Sequence, residues 1–445
     1  MFVSRGAVSD GSTGSFVSEF DLPLTKVQDF VYNMHNYTNS RRYIMFDFTT
    51  IMDRKGMDAI AVDCVGRMDG FAPGAPKEGF DVIPMWVADM NFPTAPSIVD
   101  AVSQRLAHPA YGYFEPRQEY YDSIIRWHRD RNGVEGLTPE AIGYENGVLG
   151  GLISAMNVLC SRGDHVLVHS PTYIGFTHSL ENNGYHIVHS PLVKDECGLW
   201  RMDLQDMEDK LKAYDIHTAI FCSPHNPCGR VWEPWEIREA MDLFERYGVK
   251  VISDEIWSDL ILEGYKHTPT QSVSDYARMN TVALYAPSKT FNLAGLIGSY
   301  HIIYDPILRS RVRKESSLSH YNSMNVLSMY ALIGAYTPTG EAWLEELRSV
   351  LTENIDFACR YIRESFPGVE CVRPQGTYML FLDCSEWCRI HGIDIDEIES
   401  RAWSVGVAVQ DGRMFHGPCH LRLNLALPKS RVEEAFRRLS TYVFV

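Results

Sequence analysis

No run of about 18 apolar residues occurs in this chain, and its start shows no basic stretch leading into an apolar one, so neither membrane insertion nor export is expected and a cytoplasmic location is. A basic excess is missing too. The 41 Lys and Arg against 57 Asp and Glu leave a net charge of −16, which argues against a nucleic-acid partner and is silent about small ligands. Cysteine is sparse and scattered: ten residues, in apolar settings such as Leu159-Cys160 and Phe221-Cys222, read as reduced core thiols. Cys384 and Cys388 have helical spacing, but no second close pair completes four ligands, so no metal site is expected. Internal repeats and low-complexity blocks are absent as well.

What is there is an ordinary globular composition, 45% hydrophobic and 22% charged, in 445 residues. That length exceeds what one hydrophobic core usually supports, so two domains are expected, one of them large. From about Pro96 onward the chain alternates. Pro96 opens a helix running to about His108 and Pro116 one ending near Gly133; Gly147 opens an apolar helix through Cys160. Strand patterns at His165 to His169, Tyr185 to Ser190, Thr218 to Cys222, Val249 to Ser253 and Thr281 to Tyr285 are separated by helices at Asp203 to Tyr214 and Pro234 to Tyr247. Val- and Ile-rich strands between helices predict an α/β fold whose large domain is a doubly wound, mostly parallel sheet. Helices near Ile307 to Leu318, Asn325 to Tyr336 and Gly340 to Glu364 then lead to a smaller α+β domain, with a strand at Thr377 to Leu382, a helix near Ile395 to Ser404 and strands near Val407 and Leu421 to Leu425. The boundaries read as a flexible extension over 1–45 with a weak helical window at Val27 to Met34, an arm and part of the small domain over 46–91, the large domain over 92–336 and the small one over 337–445.

Three stretches carry chemistry. Ala286-Pro287-Ser288-Lys289-Thr290-Phe291-Asn292 sets one lysine among small and apolar neighbours just after a buried-strand pattern. Burial disfavours the ammonium, so such a lysine can be an amine nucleophile near neutral pH; it could equally be a surface lysine. Ser223-Pro224-His225-Asn226-Pro227-Cys228-Gly229 and the acid-ended strand Val249 to Glu255 lie upstream. Asn226, Asp254 and Lys289 all fall at strand ends, where open parallel sheets bind ligands. Asn226 could alternatively be a turn residue, and Asp254 a helix cap. Gly147-Val148-Leu149-Gly150-Gly151 leaves amides uncovered at a helix start, which suits a phosphate, although close packing explains glycines too. Arg422, in Leu421-Arg422-Leu423-Asn424, has the fork that matches a carboxylate, or is simply exposed on an alternating strand.

Taken together, Ser288-Lys289-Thr290-Phe291-Asn292, Asn226-Pro227-Cys228-Gly229 and Ser253-Asp254-Glu255 resemble the fold-type I pyridoxal 5'-phosphate (PLP) enzymes, the aspartate aminotransferase superfamily. Pro84 to Met90, Tyr111-Gly112-Tyr113 and Ser288 to Leu296 narrow the likeness to its cystathionine β-lyase branch, the MalY/PatB-type C–S lyases, from about Phe46 to the C-terminus. The resemblance implies that Lys289 holds PLP and acts as base, that Asp254 pairs with the ring nitrogen and that Asn226 donates to the ring oxygen. Tyr173 would stack on the ring, and Val148, Leu149 and Ser288 would hold the phosphate. Ala88 would line the substrate mouth, Arg422 would take the α-carboxylate, and Tyr113 would come from the neighbouring subunit of a homodimer, with an arm from Phe46 reaching across. Three departures stand out. Ile297 occupies the place of an arginine common in the aspartate-type transaminases, Trp257 that of a tyrosine, and Asn91 that of an aspartate. An indole N–H donates but does not titrate like a phenol. The expected activity is α,β-elimination from cysteine-type amino acids to thiol, pyruvate and ammonia. An aminotransferase, and a regulatory binding protein built on a PLP scaffold, remain the alternatives.

Overall fold

The computed structural model describes residues 46–67, 71–318 and 322–445, and Phe46–Val445 form one compact unit. The extension over 1–45, with its helical window at Val27 to Met34, lies outside the described residues. Strands β1 (Ile142–Glu145), β2 (His165–Ser170), β3 (His186–Pro191), β4 (Thr218–Cys222), β5 (Lys250–Asp254), β6 (Thr281–Tyr285) and β7 (Ser299–Ile302) form one sheet in the order β1-β7-β6-β5-β4-β2-β3. Only β7 runs against its neighbours. Along β2, β4 and β5 alternate side chains go to opposite cores: Leu167, Ala219, Phe221 and Val251 to one, Val166, Val168, Ile220 and Ile252 to the other. Both faces are therefore covered, which is what a doubly wound sheet of continuous apolar strands requires.

Helix starts follow local chemistry. Pro96, Pro234, Pro306 and Pro338 each take a first helical position, where their missing N–H costs nothing, and Asp203, Asn325 and Thr337 cap their helices through side-chain oxygens. Pro116 does not open its helix. That helix is Gln118–Asn132, after an extended Arg117, and it ends as expected on left-handed Gly133. Helices that carry no expectation from the sequence include Ile174–Asn182, Asp275–Asn280, Ser385–His391 and Lys429–Tyr442.

A second, four-stranded sheet comprises β8 (Glu370–Cys371), β9 (Met379–Asp383), β10 (Gln410–Asp411) and β11 (His420–Asn424), ordered β8-β9-β11-β10. β9 starts at Met379, two residues later than the expected strand, because Thr377 has φ +67° and leaves the extended region. Ile83–Pro84 pairs in parallel with Val407–Ala408, which lays the following segment, Trp86 to Asn91, beside the second sheet. Phe48 packs against Phe92 and Trp343 of its own chain. No described helix is long and apolar enough to cross a membrane.

Candidate active site

The C-terminal ends of β4, β5 and β6 deliver three polar side chains to one place. Beyond β4 the chain turns through Asn226; β5 ends on Asp254; after β6 a single helical turn, Pro287–Thr290, carries Ser288 and Lys289. Gly229 closes the Asn226 turn at φ +66°, where a Cβ would lie 2.3 Å from that of Pro374, so only glycine fits. The three ends border a cavity of about 260 Å³ that is also lined by Ala88, Tyr173, Trp257 and the helix start at Val148 and Leu149. Nine of the eleven residues singled out from the sequence thus share one cavity. Arg422 adjoins it through Asn226, whose Oδ1 accepts from its Nη1 at 3.3 Å. Tyr113 does not enter it: the ring is fully exposed and borders a separate hollow with Tyr111 and Tyr144.

The first amides of helix Val148–Leu159 face this cavity with no partners in their own helix, and Gly147 caps them at φ +80°. Tyr173 owes its position to Gly175, where a Cβ would sit 2.3 Å from the tyrosine ring. Ile297, in the position of the missing arginine, also lines the wall.

Electrostatics separate this group from an ordinary buried cluster. Lys289 Nζ donates to the Ala88 carbonyl at 2.8 Å; burial, helped by the charge of Arg422 and opposed by Asp89 and Asp254, lowers its pKa to about 8. Burial raises Asp254 to about 7, with Glu255 adding to the rise while the Ile256 N–H, donating to Oδ1 at 3.1 Å, and Lys289 oppose it. Arg422 is brought down to about 10 by burial. Its guanidinium donates to the Trp86 carbonyl and Gln410 Oε1 and lies 4.2 Å from the Phe415 ring centre, but Nε has no partner. Among the described residues neither Asp254 nor Arg422 has an ion-pair partner. A buried acid, a half-buried amine and a buried guanidinium, none within ion-pair distance of a counter-ion among the described residues, cost the fold free energy that a ligand of complementary charge recovers.

Two features went unread in the sequence. Glu255, next to Asp254, is fully buried yet shifted the opposite way, because its carboxylate accepts from His267 Nε2 at 2.8 Å, Tyr285 Oη at 2.7 Å, Ser253 Oγ at 3.0 Å and the Thr270 N–H at 3.0 Å. Adjacent acids are thereby split in role, one satisfied by the fold and one left facing the cavity. The second is the fastening of the segment Trp86 to Asn91. Asn292 brackets Met90, its Oδ1 accepting the N–H at 3.0 Å and its Nδ2 donating to the carbonyl at 2.9 Å. Asn424 donates to the Val87 carbonyl at 2.8 Å and also to that of Asp89, while Arg54 pairs with Asp89 at 2.6 Å and donates to Asn91 Oδ1 at 3.1 Å. Asn292 and Asn424 lie inside stretches singled out from the sequence; nothing there says which backbone they grip. No group of three or more His, Cys, Asp or Glu among the described residues could hold a metal ion.

Comparison with known proteins agrees with this geometry. Residues 81–439 match the family "Aminotransferase class I and II". The cystathionine β-lyase PatB of Bacillus subtilis is 33% identical over 390 residues, covering 87% of this chain and 97% of PatB. The protein MalY of Escherichia coli is 30% identical, covering 88% and 97%. The crystal structure of a PLP-bound C–S lyase from Staphylococcus hominis superposes with a TM-score of 0.79 at 28% identity, over 89% of this chain and 98% of that one.

Proposed function

We propose, from the premise that this chain belongs to the class I and II aminotransferase family, that it is a PLP-dependent C–S lyase acting as a cytosolic homodimer on cysteine-type amino acids such as L-cystathionine. The observation that carries the reading is the meeting of Lys289, Asp254 and Asn226 at three strand ends beside a helix start, with no ion pair on Asp254 among the described residues. PLP fits this donor set group by group. Its pyridinium nitrogen matches the unpaired Asp254, its aldehyde the amine of Lys289, its ring oxygen the amide of Asn226 and its phosphate the open amides of Val148 and Leu149 with the hydroxyl of Ser288. Tyr173 supplies a face for the ring and Trp257 an indole where relatives of the aspartate type have a phenol.

Bound PLP supplies an electron-withdrawing ring that takes up the charge left at the substrate's Cα. The protein does the rest. Arg422, short of a carboxylate partner, takes the substrate's α-carboxylate and so turns Cα toward the amine. Lys289, with its pKa lowered to about 8, would be a competent acceptor for the Cα proton near neutral pH whenever its amine is free. Asp254 would stay ionised with a cation facing it and so would hold the ring nitrogen in its protonated form. Loss of the β-sulfur group and hydrolysis then give a thiol, pyruvate and ammonia. Tyr113 of the partner subunit is the residue we assign to the neighbouring cavity, which accounts for its full exposure in one chain.

The test is incubation of purified protein with L-cystathionine. Stoichiometric pyruvate and thiol release supports the lyase. Amino transfer to an added keto acid without pyruvate release indicates the aminotransferase instead.

A further inference from the structure

One acceptor in the site is shared. The Ala88 carbonyl oxygen receives Lys289 Nζ at 2.8 Å and, from another side, Tyr378 Oη at 3.0 Å. Tyr378 is fully buried, and burial raises its phenol well above the usual value, so it stays a donor at any working pH. Its ring meets that of Trp257 edge to face, with centroids 4.8 Å apart, and Trp257 in turn lies 5.9 Å from Lys289 Nζ.

The backbone that presents Tyr378 is strained. Thr377, β-branched and wholly buried, is held at φ +67°, a region such residues rarely enter. It is fixed there by its N–H donating to the Leu260 carbonyl at 2.7 Å and by its Oγ1 accepting the Met379 N–H at 3.0 Å. Two further non-glycine residues take positive φ: Ile297 at +43°, on the cavity wall, and Asn292 at +57°, which brackets Met90. Strain of this kind persists only where surrounding contacts over-determine it, as the hydrogen bonds of Thr377 and Asn292 do.

We propose that Tyr378 is a positioning residue for the proton transfer: its hydroxyl holds the Ala88 carbonyl as a fixed acceptor for the Lys289 amine whenever that amine is free. This rests on the lyase reading. An amine that gives one N–H to a fixed oxygen keeps its lone pair pointed away from that oxygen and available to the substrate's Cα. When Lys289 is instead bonded to the cofactor, Tyr378 remains to satisfy the carbonyl, so the mouth segment keeps its place through the cycle. With Asn292 and Asn424 fastening the residues on either side, the oxygen's position does not depend on the lysine it serves.

The test is Tyr378→Phe in the holoenzyme and in protein stripped of cofactor. The variant should bind PLP with wild-type stoichiometry and absorbance, lower kcat about tenfold, as expected for a misplaced proton acceptor, and leave KM within about twofold. In stripped protein the pKa of Lys289, read from the pH dependence of its acylation rate, should move upward, because the Ala88 oxygen relieved of one donor becomes the better acceptor for an ammonium. Thr377→Gly, which keeps the hydroxyl but frees the turn, should shift both quantities the same way by less, and it serves if Tyr378→Phe does not fold. Unchanged kcat and unchanged Lys289 pKa would overturn the proposal, as would a rise in KM alone or a loss of cofactor binding. If wild type itself releases no pyruvate, the lyase reading fails, while the Lys289 pKa comparison still reports on Tyr378.

Discussion

Replacing Asp254 by Asn removes the one buried carboxyl in the cavity that the fold leaves unmatched, while keeping an oxygen to accept the Ile256 N–H. In cofactor-free protein the acid ionises near pH 7 instead of the ordinary 3.8. A raised folded-state pKa means that the contribution is most favourable at acid pH and worsens as pH climbs from the unfolded value through the folded one. The penalty comes to about 4 kcal/mol at pH 8 and about 2 kcal/mol at pH 5. Relative to wild type, the cofactor-free Asn variant should therefore gain about 2 kcal/mol in unfolding free energy between pH 5 and pH 8, as read by urea denaturation at both values. With PLP present the order should reverse. Wild type recovers the penalty by facing a cationic nitrogen, whereas the variant cannot, so PLP should raise the unfolding free energy of wild type well above that of the variant at pH 8. If the stability difference between the two cofactor-free proteins were flat with pH, or PLP stabilised both equally, the assignment of Asp254 to the ring nitrogen would be wrong.

Other perturbations separate the parts of the site. Arg422→Lys keeps a charge but not the planar fork; KM for cystathionine should rise about tenfold or more with PLP binding intact, and an unchanged KM would remove Arg422 from the carboxylate role. Gly175→Ala sets a Cβ against the Tyr173 ring, 2.3 Å away in the present geometry, and should weaken PLP affinity in a titration of stripped protein, with global stability nearly unaltered. Gly229→Ala meets both a positive φ and Pro374, so it should lower the melting temperature by several degrees, consistent with a loss of about 2 kcal/mol or more. Lys289 in stripped protein should acylate with a midpoint near pH 8, whereas a midpoint near 10 would mean that burial does not perturb it.

The parallel sheet and the three strand ends that meet in the cavity were legible because they depend on short-range signals. Continuous Val and Ile runs mark buried strands, and Asn226, Asp254 and Lys289 stand where those runs stop. What escaped depends on contacts distant in sequence. Glu255 is distinguished from Asp254 by distant donors, His267, Tyr285 and Thr270, and the Ala88 carbonyl by Lys289 and Tyr378, 201 and 290 positions away. The late start of β9 was hidden for the same reason, since nothing local in Gly376-Thr377-Tyr378 says that Thr377 will be forced to positive φ. Helix Lys429–Tyr442 is different. Its buried Val432, Ala435, Phe436 and Leu439 recur at helical spacing, so the signal was present in the sequence.

A covalent link between the Lys289 amine and PLP underlies every role assigned above, and borohydride reduction of the PLP-loaded protein followed by peptide mass spectrometry reads it out. A single reduced pyridoxyl adduct is expected on Lys289, absent from Lys289→Ala. A protein that yields no adduct, or carries it on a different lysine, would contradict that link.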